Sequence, residues 1–130
     1  MAFREKISWI SLVLTLAVYG GYFAVGGFAS FLGLVGATVL FVVLMVAFTI
    51  VVSVISPKDA SAPKDERERL IAYKSVYIAH FVVAGGAFMA IGALFFDIDR
   101  LIVANGLFFA MILGEVVSDT AQIVYFRRGV

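Results

Sequence analysis

Two carboxylates stand in a strongly apolar part of the sequence, and their spacing places them on one side of a helix. Glu115 and Asp119 are four residues apart in the stretch LGEVVSDTAQ, and Gln122 follows three residues later. Because a helix turns by about 100° per residue, side chains three or four positions apart share a face. An ionised carboxylate costs about 2.5 to 3.5 kcal/mol at the centre of a bilayer, so an acid at such a position indicates proton transfer or cation binding, or requires a polar partner.

A second polar set precedes the carboxylates and has the same helical spacing. Tyr73, Tyr77 and His80 lie three or four residues apart, on one face of the preceding helix. When residues are counted from the same end of the two antiparallel helices, His80 lies at a level between those of Glu115 and Asp119. If these hairpin partners are neighbours, six residues form one intramembrane polar cluster: Tyr73, Tyr77, His80, Glu115, Asp119 and Gln122.

Three interpretations of this cluster stay open. Its members could form hydrogen bonds that hold the third helix to the fourth, or one subunit to another. They could instead carry protons, bind a cation or sense pH. His80, Glu115 and Asp119 are also suitable donors for zinc or manganese, but no local ligand motif supports a metal site. The sequence therefore predicts no metal and no cofactor, and the lack of cysteine excludes thiolate metal sites and disulfides.

The composition determines the class of elements that position these groups. The chain has 130 residues, of which 63% are hydrophobic and 15% charged, whereas a soluble domain is about half apolar and about a quarter charged. No charged residue occurs from Ile7 to Pro57, and about 20 apolar residues suffice for one crossing. The sequence predicts an all-α integral membrane protein that is surrounded by the lipid bilayer.

The predicted fold is a single membrane domain over 1-130, with four transmembrane helices at about 6-26, 32-56, 66-95 and 99-126. Gly26 and Gly27 end the first helix, Pro57 stops the second, and Asp99 caps the fourth. A charged loop, 57-69, joins the second helix to the third. Each helix has one polar or small face, which is typical of a four-helix bundle with hydrogen bonds inside and lipid outside. On the first helix this face contains Ser8, Ser11, Thr15, Tyr19 and Tyr22; on the second, Thr38, Thr49, Ser53 and Ser56.

The basic residues predict the orientation. Nine of the ten lie before the first helix, between the second and third, or after the fourth, and only Arg100 lies on the other side. The positive-inside rule therefore places both termini and the charged loop in the cytoplasm.

The charged loop ends in a segment that could be a solvated helix end or a docking surface for a cytoplasmic partner. This segment consists of Asp65, Glu66, Arg67, Glu68 and Arg69. Stripes of small residues on the helices, at Gly20-Gly21, at Gly33 and Gly36 and at 84-87, favour close packing against another subunit. We expect a homodimer.

Three segments resemble signatures of a known group of proteins. The stretch DERERLIAYKSVYIAH (65-80), the end QIVYFRRGV (122-130) and the opening FREKISWISL are similar to those of small, uncharacterised four-helix bacterial inner-membrane proteins. The resemblance covers about a third of the chain. It implies a bacterial origin, an inner-membrane location and a small cytoplasmic helix-turn-helix regulator as partner, but it implies no activity.

Two functions are therefore predicted, neither of them enzymatic. The first is a regulatory or sensor protein of the membrane that contacts a cytoplasmic partner. The alternative is a small dimeric transporter or channel, coupled to protons or cations through Glu115 or Asp119. No nucleophile-and-base motif and no cofactor motif supports an enzyme. A net charge of +1 gives no indication of direct nucleic-acid binding.

Overall fold

The protein folds into helices throughout the part of the chain that is described, residues 2–25 and 31–129 of a computed structural model. The helices are α1 (Phe3–Ala24), α2 (Phe31–Ile55), α3 (Pro57–Ser61), α4 (Glu66–Phe95) and α5 (Arg100–Arg128). Four of them, α1, α2, α4 and α5, are long and apolar enough to cross a membrane. The all-α prediction is confirmed, and these four helices indicate a multi-pass membrane protein. The predicted end of the first helix, at Gly26 and Gly27, lies outside the described residues.

The charged loop contains a short helix, α3, that was not predicted. Pro57 occupies its first turn, where the missing N–H of proline leaves no hydrogen bond unmade. The hydroxyl of Ser61 donates to the carbonyl of Pro57 over 2.9 Å and closes the last turn. The predicted loop 57-69 therefore contains one helical turn, which side-chain bonds of this kind stabilise.

Aspartates cap both helices of the second hairpin. The Asp65 carboxylate accepts a hydrogen bond from the backbone N–H of Glu68 over 2.7 Å, and α4 covers the range that the sequence predicted. Asp99 accepts from the N–H of Leu101 over 2.8 Å and begins α5, as its predicted capping role requires. Between the helices, Asp97 has a φ of 55°, a left-handed conformation that aspartate tolerates better than most residues.

α5 packs against both α4 and α1, and α2 packs against the outside of α1. Small residues bring α4 and α5 close together. A Cβ atom added at Gly86 would collide with Cβ of Ala110, and one added at Gly114 would lie 2.5 Å from a methyl group of Val83. α5 therefore contributes one face to α4 and another to α1.

The start of α1, α3, the start of α4 and the end of α5 lie together at one end of the molecule. This end, called the charged end below, has most of the ionisable side chains. Its position next to the α1–α5 interface places those charges close to the candidate site.

Candidate functional site

Polar side chains of α1 and α5 pair at successive levels from the charged end inward. Nε of Arg127 donates to Oε1 of Glu5 over 2.9 Å, and Oγ of Ser8 donates to Oε1 of Gln122 over 3.0 Å. One turn further along α1, the hydroxyl of Ser11 interacts with the carboxyl group of Asp119. Residue numbers rise along α1 as they fall along α5, as expected for antiparallel helices. We call this set the polar row: Glu5, Ser8, Ser11, Asp119, Gln122 and Arg127.

Polar contacts continue towards the opposite end of α1. The hydroxyl of Tyr19 lies 3.4 Å from Oγ1 of Thr38 on α2, and the hydroxyl of Tyr22 lies 3.4 Å from Oδ1 of Asn105 on α5. The ring of Phe108 packs edge-on against Tyr19, with their centroids 5.4 Å apart. The predicted polar face of α1 is therefore an interior face over most of the length of the helix.

Three buried side-chain oxygens, one each on α5, α1 and α4, have no hydrogen-bond partner among the described residues: Oδ2 of Asp119, Oγ1 of Thr15 and Oγ of Ser75. The exposed fractions of these residues are 7% for Asp119, 1% for Thr15 and 0% for Ser75. Thr15 lies one turn beyond Ser11 on α1. Since buried polar groups are nearly always partnered, the unpartnered oxygens of Asp119 and Thr15, on two helices that pack together, indicate a site for a small polar species.

Two contacts between α4 and α5 show at which level along α5 Ser75 lies. Nη2 of Arg67 donates to the carbonyl of Phe126 over 3.0 Å, and Gly114 faces the carbonyl of Ala79. Interpolation between these two levels places Ser75 at the height of Asp119. Ser75 and Asp119 thus lie at one level, and Thr15 lies one turn of α1 beyond it.

The carboxylates differ in their surroundings. Asp119 is buried, whereas Glu115, one turn away on the same helix, is exposed. The two are close enough for their negative charges to interact. Within the described residues the one ion pair is that of Arg127 with Glu5, so no cationic side chain neutralises Asp119.

The structure does not bring Tyr73, Tyr77 and His80 to the carboxylates, so the prediction of one six-residue cluster was wrong. The exposed fractions of the two tyrosines are 69% and 56%, and His80 is also exposed. Their rings instead form a stripe along the outside of α4, in which His80 and Tyr77 both contact Phe81.

The physical reason is the close approach of α4 to α5. α4 meets α5 through small side chains, including Ser75, Ala79 and Gly86, and tyrosine rings would not fit there. α5 therefore presents Asp119 and Gln122 to α1 rather than to α4. His80, Glu115 and Asp119, named as metal donors, do not form a metal-binding group of three or more ligands within the described ranges.

The site includes residues that sequence reasoning had not assigned to it: Glu5, Ser8, Ser11, Thr15 and Ser75. The first helix did carry the necessary signal. Ser8, Ser11 and Thr15 recur every three or four residues along the first helix, as Asp119 and Gln122 do along the fourth. Two polar faces with this spacing can meet when the helices are antiparallel. Ser75 gave no signal beyond its small size.

The predicted docking segment divides into residues with structural roles and residues that are free to bind. Asp65 caps α4, and Arg67 satisfies the last carbonyls of α5, those of Tyr125 and Phe126. Glu66 and Arg69 are exposed, and Glu68 is half-buried beside the start of α1. Only part of this segment is therefore available to a partner.

Comparisons of the chain with family models, with curated proteins and with solved structures found no match.

Proposed function

We propose that this protein is a non-enzymatic regulatory or sensor protein of the bacterial inner membrane, with both termini and α3 in the cytoplasm. The observation that carries the proposal is the buried Asp119 carboxylate, which has an unpartnered oxygen and is joined through the polar row to the charged end. A ligand that binds this acid changes its charge. The charged end supplies a surface whose contacts with a partner can change as a result.

The polar row supplies the physical link between the two. A change of charge at Asp119 alters its interaction with Ser11 on α1. The next levels, Ser8 with Gln122 and Glu5 with Arg127, join the same two helices. A shift of α1 against α5 at Asp119 therefore changes the free energy of the contacts at the charged end. Such coupling requires an element with two arrangements, and both Asp119 and the charged end must shift the equilibrium between them.

Charge and resemblance support the rest of the proposal. Nine of the ten basic residues lie in the segments assigned to the cytoplasm. Glu66 and Arg69 are exposed there and form the proposed docking surface, and the resemblance of 65-80 and 122-130 implies a small helix-turn-helix regulator as the partner. A homodimer remains part of the proposal.

A charge swap tests the docking surface without disturbing the caps. The variant Glu66→Lys with Arg69→Glu keeps the net charge and leaves Asp65 and Arg67 in place. We expect it to lose a soluble partner that the wild-type chain retains when purified from native membranes in mild detergent and analysed by mass spectrometry. The matched control exchanges the neighbouring charges of α3, Lys58→Asp with Asp59→Lys, and should retain the partner. Equal recovery with the swap, or no soluble partner with the wild type, would contradict the proposal.

The alternative is a small dimeric transporter or channel coupled to protons or cations through Asp119 and Glu115. The observation that favours it is the extent of the polar contacts along α1, from Glu5 with Arg127 at the charged end to Tyr22 with Asn105 near the other. Polar and ionisable groups along a membrane helix commonly mark an ion pathway. Recovery of the chain alone in the purification above would favour this alternative over the sensor.

A further inference from the structure

We propose that Asp119, together with Thr15 and Ser11, binds a sodium ion between α1 and α5. The inference deepens the proposed function and rests on it, because it names the species to which the sensor responds. Asp119 supplies the charge, and the hydroxyls of α1 supply neutral oxygen donors.

The unpartnered atoms are oxygens, which are the ligands that a small hard cation needs. Oδ2 of Asp119 and Oγ1 of Thr15 are both buried without a partner, and Thr15 is only 1% exposed. They belong to two helices that pack together, and Thr15 lies one turn from Ser11, which interacts with the same carboxyl group. A carboxylate and hydroxyls are the donors that hard cations prefer, and this set contains no nitrogen or sulfur donor for a softer metal.

The charge of the site favours a monovalent ion. Asp119 is the one buried carboxylate at this level, and a single positive charge neutralises it. Arg127, the nearest cation of the polar row, is bound to Glu5 two turns away. A divalent ion would leave a net positive charge in surroundings of low dielectric constant, which is costly.

Glu115 adds a means of attracting the ion. It is exposed, lies one turn from Asp119 and interacts with it electrostatically. A second negative charge one turn away strengthens the electrostatic attraction of the site for a cation. Glu115 is therefore assigned to this attraction, and Asp119 to binding of the ion.

Equilibrium binding of radioactive Na⁺ to the purified full-length chain in lipid nanodiscs tests the site, with choline as the inert cation. We expect one saturable Na⁺ per chain, lost in Asp119→Asn. Thr15→Val preserves the shape of the side chain but removes its oxygen, and should weaken binding about tenfold. Thr15→Ser should restore it. Thr120→Val is the matched control, since Thr120 is exposed on the same helix as Asp119, and should bind Na⁺ normally.

Absence of saturable Na⁺ binding by the folded wild-type chain would overturn the inference. Binding that persists in Asp119→Asn, or that Thr15→Val and Thr120→Val affect equally, would also overturn it. If Asp119→Asn fails to fold, the Thr15 pair decides the question on its own. Neither result depends on a protein partner, so failure of the sodium site and failure of the docking surface are separate outcomes.

Discussion

At the scale of single residues, the size of a side chain decides whether it reaches the interior. Gly86 and Gly114 permit the close contact of α4 with α5, and that contact leaves no room for the rings of Tyr73 and Tyr77. Asp119 faces α1, where Ser11 and Thr15 are small polar side chains. The chemistry of the site thus depends on small neighbours as much as on the acid.

Adjacent glycines offer a matched test of this packing. Gly86→Ala places a methyl group against Ala110, a rigid neighbour, whereas an added Cβ at Gly85 meets nothing within 4 Å. We expect Gly86→Ala to lower the free energy of unfolding by about 1–3 kcal/mol through overpacking. Gly85→Ala should leave it unchanged or raise it slightly through better helix propensity. Reversible unfolding in mixed micelles measures both, and equal effects would show that α4 and α5 are not in close contact there.

At the scale of elements, the two faces of α5 have different roles. The face towards α4 is small and apolar and determines the distance between the helices. The face towards α1 is polar and determines their register, because each hydrogen bond of the polar row is formed at one alignment only. Hydrogen bonds between helices have this specifying role in membranes, where apolar side chains gain little from leaving lipid.

The ion pair at the end of the polar row should couple α1 to α5 energetically. Arg127 also lies over the ring of Trp9, with Cζ 5.6 Å from the ring centroid. A double-mutant cycle of Glu5→Gln and Arg127→Met should give a coupling free energy on the order of 1 kcal/mol, since Glu5 is buried but Arg127 is half exposed. The same cycle with Arg128→Met in place of Arg127→Met is the control and should give a coupling near zero. Similar coupling for both arginines would mean that the pair does not join the helices.

At the scale of the whole molecule, charge and hydrophobicity are segregated. Among the described residues, the ionisable side chains concentrate at the charged end, and the opposite end has the short connection from Phe96 to Asp99 between α4 and α5. A sensor with its output in the cytoplasm requires the charged end to face inward. The orientation is thus the property of the whole chain on which the proposed function depends.

The absence of cysteine from the sequence makes the orientation simple to measure. Ser61→Cys introduces a thiol on α3, and Phe96→Cys introduces one at the opposite end; both positions are exposed. With a membrane-impermeant maleimide on intact bacterial cells, we expect labelling of Phe96→Cys at once and of Ser61→Cys only after permeabilisation. The reverse pattern would place the termini outside and contradict both the orientation and the cytoplasmic partner.

The sequence by itself determined the elements. Composition and the uncharged run from Ile7 to Pro57 predicted long apolar helices, and Asp99 marked the start of one of them because capping uses residues that are close along the chain. It also identified Asp119 as an unusual acid and the polar side of α1 as an interior face. These conclusions need only local sequence and the period of a helix.

Only the tertiary structure decided which faces meet. The sequence placed His80 between Glu115 and Asp119 in height because consecutive helices usually pair. α4 does pair with α5, but through Ser75, Ala79 and Gly86 rather than through its rings. The polar face of α5 turned instead to α1, more than a hundred residues earlier in the chain. The choice follows from the fit of small side chains across the α4–α5 contact, a property of two surfaces together that neither helix reveals alone.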